Sequence, residues 1–180
     1  MTVIVAVKDK QTNIVYMAGD RMASTDSSKI KLAEPKVFMN AGYLIGYAGT
    51  MAGSKLYHNF VPSWAKDIKD IHAFMQSGFL KELREFYDEW NIDYSNDADL
   101  ALLIAVNRNI YEHHASDMSM TLLEDGIGAI GSGSEYALGS LYVTPGFAAH
   151  DRAKIAVDAA NYFSPFCGYG VDIVSTEEYN

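Results

Sequence analysis

The apolar positions of this chain follow two periods in alternating blocks. Residues 3–8 and 13–18 are β-branched runs separated by the polar Asp9-Lys10-Gln11-Thr12, which predicts a hairpin. Residues 36–39 and 43–48 flank Asn40-Ala41-Gly42, a second hairpin signal with glycine in the turn. Between them, residues 20–28 are rich in Ser, Thr and Asp and read as irregular. From Thr50 to Trp90 the spacing changes to threes and fours through Met51, Leu56, Phe60, Ile71, Phe74, Met75, Phe79, Leu83 and Phe86, which predicts helices, with Pro62-Ser63 as a helix start or a bend. The polar stretch 91–97 ends that block. The fully apolar run 100–106 reads as a buried strand that turns at Asn107-Arg108-Asn109 into residues 110–113. Residues 118–123 and 127–130 are shorter strand candidates. Helical spacing returns through Tyr136, Leu138, Leu141 and Tyr142 and again over 148–163, and residues 171–175 form a last strand. Strands and helices grouped in this way predict an α+β fold of four layers, two stacked antiparallel sheets with helices on each outer face.

Length adds that residues 1–180 are enough for a single domain with a substantial core and too few to expect two. No apolar run approaches the roughly 18–20 residues that cross a bilayer, and no signal-peptide pattern opens the chain, so the cytoplasm is the expected compartment. The one cysteine, Cys167, agrees with a reducing environment and reads as a small buried residue, not a nucleophile. A formal charge of −9 with no basic cluster argues against nucleic acid and anionic membranes as partners. No cofactor motif is present: the phosphate-loop pattern is missing, and Gly131-Ser132-Gly133 is not a hydrolase nucleophile elbow. Glu112, His113, His114 and Asp117 do not suggest a shared metal, because adjacent strand residues face opposite ways.

Candidate chemistry gathers at strand ends. If Met1 is removed, Thr2 carries a hydroxyl and a free α-amine, a nucleophile beside its own base, at the start of a strand that anchors it. Asp20 follows Gly19 where the chain leaves a strand, which is also where a turn or cap uses Asp. Lys36 opens another strand, where a solvated end is the ordinary alternative. Gly49 offers a backbone N–H at a strand-to-helix junction, a place for an oxyanion or a plain turn. Ser132 lies at a second such junction, where an N-cap is the ordinary role.

Taken together, Met1-Thr2, Ala18-Gly19-Asp20, Lys36-Val37, Gly46-Tyr47-Ala48-Gly49 and Ala129-Ile130-Gly131-Ser132-Gly133 resemble the signature segments of the proteasome β-type subunits, the bacterial HslV-type peptidase branch most of all. The resemblance runs from Thr2 to about Ala160. It implies the N-terminal-nucleophile hydrolase (Ntn-hydrolase) fold and a threonine peptidase that needs no cofactor. Thr2 would be the nucleophile, with its α-amine as base. Lys36 would lower the hydroxyl pKa, Asp20 would hold Lys36, Gly49 would supply the oxyanion donor, and Ser132 would bond the α-amine. Ala23, Ser24, Tyr47 and Met51 would border a channel for polypeptide substrates. Homo-oligomeric stacked rings, hexameric or heptameric, and an unfolding ATPase ring are the implied partners. The chain departs from many members at residues 164–170, which read Ser-Pro-Phe-Cys-Gly-Tyr-Gly where the family has Asp-x-x-Ser. Retention of Met1 together with this departure would fit a ring protein without peptidase activity; a small-molecule amidase of the same fold is the third reading.

Overall fold

The computed structural model describes residues 2–24, 28–93 and 100–179. Met1, three residues of the segment expected to be irregular (25–27) and four of the polar stretch 91–97 (94–97) lie outside the described residues.

Strand β1 (Ile4–Lys8) sits between β10 (Ile127–Ile130) and β2 (Val15–Asp20), and β11 (Val171–Ser175) completes an antiparallel sheet in the order β10-β1-β2-β11. A second antiparallel sheet runs β5 (Val37–Asn40), β6 (Tyr43–Ala48), β7 (Ala101–Val106), β8 (Asn109–His114) and β9 (Ser119–Leu122). Period-2 alternation builds the layers. Val3, Val5 and Val7 face helices α4 (Ser134–Val143) and α5 (Ala149–Phe163), meeting Ala137, Leu141, Ala153, Val157 and Ala160. The alternate residues Ile4 and Ala6 face the other sheet, with Met17, Val37, Leu44, Leu103 and Ala105. Tyr43, Ile45, Tyr47, Leu102 and Ile104 then point to the opposite helical layer, against Leu56, Met75, Phe79, Leu83 and Tyr87. Strands buried on both faces explain the unbroken apolar runs 43–48 and 100–106. The four-layer α+β sandwich expected from the sequence is the observed one.

Local chemistry accounts for the differences. Strand β2 begins at Val15, two residues late, because Asn13 takes φ +61° and the Asp9 carboxylate accepts the Gln11 and Thr12 amides at 2.8 Å, lengthening the turn. Residues 20–28 are less irregular than expected: β3 (Met22–Ser24) pairs with β4 (Lys29–Lys31) in a small hairpin. The helical block is broken. It opens as a 3₁₀ turn, Met51–Gly53, followed by α1 (Ser54–Asn59), and Pro62 starts no helix but sits in an irregular stretch. Helix α2 (Ile71–Phe74) continues through a π-helical turn, Met75–Phe79, into α3 (Leu80–Glu89). Among the described residues no helix is long and apolar enough to cross a membrane.

Candidate functional site

Antiparallel pairing puts the start of β1 between the ends of its two neighbours. Ile4 lies opposite Ile130 of β10 and Gly19 of β2, so Thr2, two residues before it, meets both the Gly131-Ser132 turn and Asp20. Lys36, just before β5 in the other sheet, closes the group from below. The sheets come close here because two facing positions lack a Cβ. One built at Gly46 would stand 2.5 Å from Ile4 Cγ2 and 2.9 Å from Met17 Sδ, and one at Gly19 would stand 2.7 Å from Ile4 Cδ1.

Thr2, Asp20 and Lys36 are all buried, at 2%, 0% and 3% exposure. Burial on this scale requires each charge to be fully hydrogen-bonded. Asp20 meets that requirement with five bonds. Its Oδ1 accepts the Thr2 hydroxyl at 2.9 Å, the Val3 amide at 3.1 Å and the Lys36 ammonium at 2.8 Å. Its Oδ2 accepts the Met22 and Gly168 amides, each at 3.1 Å. Lys36 Nζ donates to Thr2 Oγ1, Asp20 Oδ1 and the Met22 carbonyl, which engages all three ammonium protons. Burial pushes the Lys36 pKa below its ordinary value, and the adjacent Asp20 charge opposes that shift. The Thr2 hydroxyl thus donates to a carboxylate while accepting from an ammonium, an arrangement that favours loss of its proton.

The Thr2 nitrogen donates to Ser132 Oγ at 3.1 Å, and the same hydroxyl donates to the Thr2 carbonyl at 3.3 Å. Ser132 is therefore not the cap of α4. That position falls to Gly133, which makes no side-chain cap bond. Gly131 has φ +90°, and a Cβ there would lie 2.4 Å from the Thr2 carbonyl oxygen, so the turn can approach Thr2 only as glycine.

A cavity of about 50 Å³ opens on Thr2 and Lys36 and is lined by Ala23 and Ser24 of β3 and by Tyr47, Gly49 and Met51. It is far below the roughly 300–1,000 Å³ of a small-molecule pocket. The Ser24 hydroxyl is buried with no partner among the described residues. Tyr47 is buried, and its pKa is pushed up to about 12, by burial first and then by Glu34 and Asp20. Gly49 has φ +100° and lies just ahead of the short 3₁₀ turn, whose Ala52 amide donates to Thr50 Oγ1, so no long helix field acts on it. Ser132 does not line the cavity; it lies behind the Thr2 nitrogen. Among the described residues no group of three His, Cys, Asp or Glu could hold a metal ion. His113 is buried while His114 is half-exposed, on opposite faces of β8.

Sequence reasoning missed the partners of Asp20 on the main chain. Backbone amides carry no side-chain signature, so neither Met22 nor Gly168 stood out. The Gly168 contact shows that the divergent segment 164–170 still touches the site. Cys167 beside it is buried, with its sulfur against Gly133, and burial pushes its thiol pKa up.

No protein-family profile matches the sequence, and no curated protein matches it. Solved structures do match, over nearly the whole chain. Thiobacillus denitrificans BPH is similar with a TM-score of 0.76 and 20% identity over 97% of both chains, and BPH in complex with epoxomicin with a TM-score of 0.74 and 21% identity over the same shares. A eukaryotic HslV from Trypanosoma brucei matches with a TM-score of 0.70 and 22% identity, over 97% of this chain and 98% of that one. Anbu (ancestral beta-subunit) from Yersinia bercovieri matches at 0.67 and 10% identity, over 97% and 81%. At these identities the likeness establishes the fold, that of the proteasome β-type and HslV-type Ntn hydrolases.

Proposed function

We propose that the chain is a threonine-type endopeptidase subunit that uses Thr2, exposed by removal of Met1, as an N-terminal nucleophile. The observation that carries this reading is the buried contact of one hydroxyl with Lys36 Nζ and Asp20 Oδ1, beside a backbone nitrogen on Ser132. A free Thr2 amine, with a reference pKa of about 7.7–8.0, takes the hydroxyl proton directly or through a water as Oγ1 attacks the peptide carbonyl. The Lys36 charge stabilises the forming alkoxide, and Asp20 keeps Lys36 in place. The Gly49 N–H stabilises the tetrahedral oxyanion, a contribution of roughly 3 kcal/mol for one such donor. The amine then passes its proton to the leaving nitrogen, and a water releases the ester formed on Thr2.

Among the described residues strand β3 has a strand neighbour on one edge only, and its Ala23 and Ser24 line the cavity together with Gly49 and Met51. An extended peptide adding to that edge is bound through its backbone, which suits a sequence-tolerant endopeptidase better than a small-molecule amidase. Such a site needs confinement, so homo-oligomeric stacked rings of six or seven subunits in the cytoplasm, fed by an unfolding ATPase ring, complete the reading. The chain acts as one domain over residues 1–180. Hydrolysis of an unfolded polypeptide such as carboxymethylated casein by the purified protein, and its absence in Thr2→Ala, is the expected result. Equal hydrolysis by the variant sinks the reading; cleavage of small amides alone turns it to the amidase, and an intact mass that keeps Met1 turns it to the inactive ring protein.

A further inference from the structure

Asp20 and Lys36 reach Thr2 from different segments, so their meeting depends on what fixes those segments to each other. Asp20 ends β2, and Lys36 follows the irregular residues 32–35. The Lys36 ammonium takes acceptors from both sides of Arg21: the Asp20 carboxylate before it and the Met22 carbonyl after it. Successive side chains of extended backbone point to opposite faces. Asp20 and Met22 are accordingly buried, whereas the Arg21 side chain is directed outward and is 29% exposed.

There the guanidinium makes three bonds. Nε donates to Asp172 Oδ2 at 2.6 Å and Nη2 to Asp172 Oδ1 at 2.7 Å, a bidentate fork on the β11 residue that pairs with Gly19. Nη1 donates to the Ala33 carbonyl at 3.0 Å, three residues before Lys36. The Arg21 main chain adds two bonds, its amide donating to the Gly168 carbonyl at 3.0 Å and its carbonyl accepting the Leu32 amide at 2.8 Å. One residue thus ties β11 to the segment that delivers Lys36 and to the segment whose Gly168 amide serves Asp20. The pattern demands arginine. A planar fork matches both carboxylate oxygens and leaves a nitrogen for Ala33, whereas a lysine ammonium is a point charge on a flexible stem. Neither Arg21 nor Asp172 lines the cavity.

We propose that Arg21, clamped by Asp172, is a positioning residue that sets the distance of the Lys36 ammonium from Thr2 Oγ1. The proposal rests on the reading of Thr2 as nucleophile given above. Lys36 acts on the hydroxyl through its charge, and that action weakens with distance. Loss of the fork releases the segment 32–35 at Ala33, and the ammonium moves with it. The cavity lining is left as it was, so turnover falls while KM stays. Both groups of the clamp keep contact with water, so replacing either strands no fully buried charge.

The test uses the full chain and the variants Arg21→Lys, Arg21→Gln and Asp172→Asn, with Lys81→Gln, from an exposed pair on α3, as the control expected to match wild type. On carboxymethylated casein each of the three should lower kcat roughly 10- to 100-fold at unchanged KM, Arg21→Lys as much as Arg21→Gln. The double variant Arg21→Gln/Asp172→Asn should lose no more than either single one, because the pair acts as a unit. The Leu32 amide, bonded to the Arg21 carbonyl, should exchange its hydrogen about 10-fold faster or more in each variant. If the Arg21 variants unfold, Asp172→Asn, which keeps side-chain size, reads the same way. Wild-type kcat in Arg21→Lys, a raised KM at constant kcat, a lowered melting temperature at constant kcat, or additive losses in the double variant each overturn the proposal. Unchanged Leu32 exchange overturns the clamp itself. A wild-type protein that hydrolyses no casein contradicts the peptidase reading and the effect on turnover with it, while Leu32 exchange, which needs no substrate, still decides the clamp.

Discussion

Asp20 is the residue on which the site depends, because it holds Lys36, the Thr2 hydroxyl and three backbone amides at once. Asp20→Ala strands a buried ammonium, and breaking a buried pair from one side costs about 3–5 kcal/mol; release of a proton from Lys36 lessens that cost. The denaturant midpoint should fall accordingly, and peptide hydrolysis should fall at least 100-fold. An unchanged midpoint would show that Lys36 does not depend on Asp20. Thr2, Asp20, Lys36 and Ser132 were legible in the sequence only as weak signals at strand ends, since each residue type has an ordinary role there. Pairing register made them one cluster, and it also brought in Gly168 from 148 residues away. His113 offers a test in the core of the other sheet. Its Nδ1 lies 2.6 Å from the Ser119 carbonyl, its ring stacks on Tyr87, and burial pushes its pKa down to about 4. The unfolded chain takes up that proton near pH 6.5 and the folded chain does not. The stabilising contribution is therefore complete above about pH 6.5 and is lost as pH falls toward 4, about 3 kcal/mol in all. Unfolding free energies of His113→Phe should fall less steeply than wild type across that window; parallel curves would contradict the assignment.

Among the elements, the interior strands were readable because burial on both faces demands continuous apolar runs, and α5 because its alanines recur at helical spacing. The β3–β4 hairpin was not, since each strand has three residues and β4 is exposed throughout, which leaves no alternation to detect. The helices of the 50–90 block were readable too, but not the break between them, because spacing by threes and fours persists through a non-helical stretch whose Phe60 still packs on the core. Two glycines show how elements set the site. Gly46→Ala drives a methyl into Ile4 and Met17 between the sheets and should cost about 1–3 kcal/mol, read as a lower melting temperature. Gly131→Ala meets the Thr2 carbonyl, a backbone atom that cannot swing aside. Its larger effect should be on turnover, roughly 100-fold, because misplacement near 1 Å has that cost in a positioned site. A variant with normal turnover would mean that Thr2 tolerates displacement.

At the scale of the whole molecule, two sheets press together where Gly19 and Gly46 permit it, and one end of that sandwich gathers a hydroxyl, an ammonium and a carboxylate. The segment that follows the helices of one outer layer reaches back to Asp20. The central claim is that the Thr2 nitrogen and oxygen act together, which an epoxyketone reads directly because it must bond to both atoms. Intact mass of the purified protein after incubation with epoxomicin should show a chain without Met1, increased by one inhibitor mass, with the modification on Thr2 and none in Thr2→Ala. A chain that has lost Met1 and gains no mass, or a variant labelled as fully as wild type, would contradict the account.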